Sequence, residues 1–154
     1  KNETPMDFYM DKVVEKNKDN PVFYVQYAYA RASSVINNAK KLSNIDISKI
    51  NFIDFDKSSI SKFEWDIIMK LISWPYILQE AASTMQPHKL TNYLEDLCSN
   101  FHVFWNKGKD DSSLRMLDEN NVKSTISRII WIQSFRNILK EVFTIIDISF
   151  PENM

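Results

Sequence analysis

The sequence predicts an all-α fold, a bundle of about five helices, on three observations. Its 154 residues include a single glycine, Gly108. A chain with so few positions at ease with positive φ suits helices, not a meander of tight hairpins. Apolar residues recur at helical spacing, most fully over Val122, Ile126, Ile129, Ile130, Phe135, Leu139 and Val142. Helix-start chemistry recurs as well, as Asn20-Pro21, Ser58-Ser59 and Pro87. Helices with wide apolar faces bury them against one another, and a chain of this length, suited to one domain, buries about 70% of its unfolded surface. No internal repeat or low-complexity tract divides it.

Residues 1–18 read as a connector, with Phe8, Met10, Val13 and Val14 as its apolar contacts, and residues 19–154 as the helical domain. Asn20 accepts from an orphan amide and Pro21 has no N–H to lose, so a helix runs from Pro21 to about Lys41. From Ser43 to Lys57, isoleucines and phenylalanines alternate irregularly with Asp, Asn and Ser, which gives an ordered loop. Ser58 or Ser59 caps a second helix carrying Phe63, Ile67, Ile68, Leu71 and Ile72. Trp74-Pro75 breaks it, and Pro75 opens a third helix to about Met85. Pro87 opens a fourth to about Lys107, where Gly108 ends it, and 109–115 form a polar loop. The last helix spans about Asp118 to Asp147, roughly 45 Å at about 1.5 Å per residue, before Pro151 forbids more helix.

Composition narrows the function. A net charge of −1 and a pI near 6.2 exclude a non-specific nucleic-acid coat but leave room for a local basic patch. Cys98 is the only cysteine, which excludes a disulfide framework and a multi-thiolate metal site; its apolar surroundings suit a buried, inert thiol. No apolar run approaches the roughly 18 residues that span a bilayer, so no membrane partner is expected, and the single thiol fits a cytoplasmic location. His88 and His102, the only histidines, lack metal-ligand spacing, and no glycine-rich phosphate loop exists. Asp54 with Asp56 reads as a solvated turn. No catalytic residue, metal ligand or cofactor is therefore expected in this chain. It starts at Lys1 without an initiator Met, as expected of part of a longer protein.

One constellation carries chemistry. Tyr24, Tyr27 and Arg31 fall at i, i+3 and i+7, placing two rings and a guanidinium on one helix face. Such a face can stack unpaired bases and hold phosphate, as single-stranded RNA recognition requires. On periodicity alone a packed core stripe is the commoner outcome.

The wording of this stretch goes further than its periodicity. Asn20-Pro21-Val22-Phe23-Tyr24-Val25-Gln26-Tyr27-Ala28-Tyr29-Ala30-Arg31 resembles the run that opens the C-terminal, anticodon-reading helical domain of arginyl-tRNA synthetases. So do Gln86-Pro87-His88 with Tyr93-Leu94 and Phe101-His102-Val103-Phe104-Trp105, and the ending Phe150-Pro151-Glu152-Asn153-Met154. Three blocks in order cover nearly the whole chain. The resemblance implies that Tyr24, Tyr27, Arg31 and Trp105 meet the anticodon loop, that Met154 packs against the same site, and that Lys109 keeps a phosphate contact where the family usually carries Arg. It also implies an arginine-specific tRNA as partner, and a catalytic domain outside this chain that uses ATP and Mg²⁺ to attach arginine. Departures are Tyr29 in place of the family's His, and Asp147 where Gly is common. The alternatives are the anticodon-binding domain of another synthetase, such as the cysteine or glycine enzymes, and a helical protein–protein adaptor.

Overall fold

The computed structural model describes Tyr9, Glu15 and residues 20–151. Met154 and nearly all of the expected 1–18 connector lie outside the described residues. The fold is all-α: α1 (Pro21–Ala39), α2 (Lys62–Thr84), α3 (His88–Asp110) and α4 (Val122–Ile145), with no strand among the described residues. Single 3₁₀ turns at Ile47–Lys49, Phe52–Asp54, Lys57–Ser59 and Ser112–Leu114 order the connections. Among the described residues no helix is long and apolar enough to cross a membrane.

Local chemistry explains the starts. Asn20 accepts from the amides of Val22 and Phe23 at 3.0 and 3.4 Å, which launches α1 one residue before Pro21. Asn121 does the same for α4 through the Ser124 amide. Ser61, not Ser58 or Ser59, caps α2. Its hydroxyl receives the Glu64 amide, while Glu64 takes the Ser61 N–H at 2.9 Å. Asp56 holds Ser58 in the preceding 3₁₀ turn instead, and Asp54 closes back onto Asn51, so both aspartates serve turns.

The main departure from expectation is Pro75, which lies inside α2. A proline there removes one helical hydrogen bond and costs about 3 kcal/mol. Packing on its flank outweighs that. Trp74 stacks on Tyr93 at 5.3 Å and donates its indole N–H to Glu141 at 3.0 Å, while the Tyr93 hydroxyl donates to the Lys70 carbonyl at 3.0 Å. One helix therefore stands where two were expected. It ends at Met85, which takes φ 52° while the amides of Met85 and Gln86 close back onto Ala82 and Ala81.

Gly108 does not end α3, which continues to Asp110. A Cβ on Gly108 would lie 2.8 Å from the Leu114 carbonyl oxygen. This glycine is needed so that the turn Ser112–Leu114 can close against the helix.

α1 packs on α3 and α4, and α2 packs on α3 and α4. Ala28, Ala32 and Ala39 are fully buried on α1, and the Phe101 and Phe135 rings stack at 4.5 Å between α3 and α4. Among the described residues one ion pair lies wholly inside. Glu64 is 0% and Arg128 2% exposed, joined at 2.8 Å through Arg128 Nε. Arg128 also donates to the carbonyls of Ser113 and Arg115 at 2.8 and 2.5 Å, and Trp131 donates to Glu64 at 3.4 Å. These hydrogen bonds offset the desolvation that makes an isolated buried pair unfavourable.

Candidate nucleic-acid interface

α1 and α3 lie side by side and run in the same sense. Tyr24 meets His102, Arg31 meets Trp105, and Asn38 shares a groove with Lys109. The period of α1 puts its alanines and Val25 inward and leaves Tyr24, Tyr27 and Arg31 half-buried along the seam with α3.

Arg31 is the centre of this seam. Its guanidinium carbon lies 4.0 Å from the Tyr27 ring centroid and 4.9 Å from that of Trp105. Contacts of a cation with ring faces are each worth about 0.5–2 kcal/mol according to solvent access. Nη2 donates to the Tyr27 hydroxyl at 2.8 Å, and Nη1 faces Nδ1 of His102 at 3.1 Å. Phe23 stacks on Tyr27 at 6.1 Å, and His102 packs on Tyr24 at 4.5 Å.

The neighbours of His102 assign its tautomer. Nδ1 faces a donor that has no acceptor capacity, so it carries a lone pair. Nε2 lies 3.3 Å from the Tyr24 carbonyl, an acceptor, so it carries the proton. The ring is neutral. Burial, the larger effect, and the Arg31 charge hold His102 below its ordinary pKa, against the opposing pull of the Tyr24 carbonyl. Burial also raises the Tyr24 phenol.

The two ends of the seam differ in charge. A groove of about 510 Å³ at its start is lined by Tyr24, Asn92, Glu95, Asp96 and Ser99. Asp96 is paired with Lys70. At the other end Lys109 and Arg115 border a second groove.

The structure thus brings together Tyr24, Tyr27, Arg31 and Trp105. Lys109 is exposed one turn beyond Trp105, and Met154 lies outside the described residues. His102, set aside in the sequence for want of metal-ligand spacing, belongs to the cluster; its i, i+3 spacing from Trp105 was the signal that the two share a face. Arg115 and Asn38 have no comparable signal, because each joins the groove through tertiary packing. Cys98 is fully buried, which raises its thiol pKa well above the ordinary value. No group of His, Cys, Asp or Glu suited to a metal ion occurs among the described residues.

Residues 25–154 match the family described as the DALR anticodon binding domain. The chain is 40% identical over its whole length to an arginine–tRNA ligase of Rhizobium leguminosarum bv. trifolii, and 39% identical over 99% of its length to one of Bartonella bacilliformis. In both cases it spans about a quarter, 26%, of the relative. A solved structure described as an arginyl-tRNA synthetase from Campylobacter jejuni superposes with a TM-score of 0.79 at 21% identity, covering all of this chain and 31% of that one, a likeness of fold.

Proposed function

The chain belongs to the DALR anticodon-binding domain family, and from that premise we propose that it reads the anticodon of an arginine-specific tRNA for a longer arginine–tRNA ligase. The observation that carries this reading is the half-buried guanidinium of Arg31, held between the Tyr27 and Trp105 rings. Every arginine codon has G in the middle, so every arginine anticodon has C there. Cytosine presents two adjacent acceptors on its pairing edge, O2 and N3. A planar guanidinium matches such a pair with two parallel donors, which an ammonium does not do. Two of the five Arg31 N–H groups are engaged within the protein, leaving three for RNA. Tyr27 and Trp105 offer ring faces to unstacked bases, each worth about 1–3 kcal/mol. Tyr24 supports the stripe from below through His102. Lys109 contributes phosphate attraction, and a part for Met154 rests on the resemblance of the chain's ending alone.

The parent ligase works in the cytoplasm, and its catalytic domain uses ATP and Mg²⁺ to join arginine to the tRNA. To that enzyme this chain contributes recognition of the tRNA.

The test is a fluorescence titration of the chain with an arginine anticodon stem-loop and with a copy whose middle C is changed. Tighter binding of the first, weakening as salt rises, is expected. Equal affinity for the two stem-loops overturns the reading, and salt-insensitive capture of a helical peptide favours an adaptor.

A further inference from the structure

We propose that the groove between the C-terminal halves of α1 and α3 is a second nucleotide subsite. It takes the RNA nucleotide next to the one met by Tyr27, Arg31 and Trp105, and it rests on the anticodon-binding reading above.

Four observations converge on it. The first is continuity. Trp105 walls this groove and also covers Arg31, so a strand stacked at the seam needs only one step to enter. The second is size. The cavity of about 380 Å³ lies near the lower end of the roughly 300–1,000 Å³ typical of ligand pockets. That suits one nucleotide and is too small for a helix.

The third observation is chemistry. Val35 and Leu117 give an apolar floor, and Lys109 and Arg115 stand at its edge, both exposed and in no ion pair among the described residues. Asn38 also lines the groove; its Oδ1 accepts from Lys41 at 3.3 Å, and its amide N–H₂ is left to face a base edge. The nearby Asp111 carboxylate is occupied by the Ser113 amide and hydroxyl at 2.9 and 2.7 Å. The fourth is direction. The opposite end of the seam carries Glu95 beside an Asp96 already paired with Lys70, so a polyanion that crosses Arg31 is drawn toward Lys109 and Arg115.

The groove is also built rather than incidental. Gly108 admits the Leu114 carbonyl to a distance that a Cβ would forbid, and Arg128 ties down the same turn through the Ser113 and Arg115 carbonyls.

The experiment measures stem-loop affinity against salt for the chain and for Arg115→Gln, Lys109→Gln and Asn38→Ala. Stem-loops in which an abasic linker replaces the nucleotide on either side of the middle base are titrated alongside. Arg115→Gln and Lys109→Gln are each expected to weaken binding three- to tenfold and to reduce the salt slope by about one. One of the two abasic stem-loops is expected to bind the chain more weakly, with a smaller loss in Asn38→Ala. If the chain discriminates the middle base but all three variants bind as it does, with unchanged slopes, the subsite is wrong and the anticodon reading stands. If the chain does not discriminate the middle base, the reading itself fails. Circular dichroism identifies a variant that does not fold, and the remaining charge variant then decides.

Discussion

His102 presents an acceptor to Arg31: Nδ1 lies 3.1 Å from Nη1, in a ring whose other nitrogen faces the Tyr24 carbonyl. A histidine with one protonated nitrogen therefore fixes the plane of a guanidinium that sits between two aromatic rings. Tyr27 fixes it from the other side through its hydroxyl at 2.8 Å. The cation is oriented before any ligand arrives, which lowers the ordering cost of binding.

Replacing Arg31 by Lys keeps the charge but removes the fork that reaches Tyr27 and His102 together. Stem-loop affinity is expected to fall about tenfold, equivalent to about 1.4 kcal/mol, with little change in melting temperature because the site is half-buried. Tyr27→Phe retains the ring and loses only the hydroxyl, so a smaller loss is expected. Anisotropy titration beside thermal melts checks both. A cooperative loss of fold in Arg31→Lys would assign the residue to the core.

pH acts on the same pair. The folded chain holds His102 below its ordinary value of 6.5, so the unfolded chain binds the proton more readily. The stability that neutral His102 contributes is thus fully present above about pH 6.5 and declines as pH falls through the lower folded value. Protonation also sets a second donor against Nη1 of Arg31. Stem-loop affinity is therefore expected to weaken on acidification from pH 7 to 5, opposite to the usual gain of a polyanion for a more positive protein. His102→Gln is expected to flatten that dependence in both affinity and urea midpoint.

The buried Glu64–Arg128 pair predicts a stability effect of a different scale. Glu64→Gln leaves the guanidinium of Arg128 without its counter-charge in the interior and is expected to cost about 3–5 kcal/mol in urea unfolding. Lys49→Ala, which removes one partner of the exposed pair with Asp46, is expected to leave the urea midpoint unchanged.

Met85 offers a gain. It is 83% exposed and adopts φ 52° at the end of α2, a conformation that suits glycine better. Met85→Gly is expected to stabilise the chain by up to about 1 kcal/mol, after the added freedom of the unfolded chain is counted. Calorimetric melting measures it.

Legibility in the sequence followed the range of the interactions. The start of α1 was readable because Asn20 and Pro21 act on adjacent amides. The stripe of Tyr24, Tyr27 and Arg31 was readable because a helix repeats every few residues. The continuation of α2 through Pro75 was not, since the contacts that outweigh the proline come from Tyr93 and Glu141, distant in sequence. Gly108 was misread for the same reason: what it accommodates is a turn several residues away, not its own φ. Asp147 shows the converse. Its φ of 57° keeps the left-handed turn that a glycine favours, with the Ile148 amide closing onto Phe143.

Glu64 closes two circuits with one carboxylate, the first turn of α2 through Ser61 and the interior through Arg128. Fraying at the head of α2 therefore cannot stay local. It strips the arginine that also restrains the Ser112–Leu114 turn. Amide exchange in these three places should share one opening free energy, making them a single cooperative unit even though they lie on different elements.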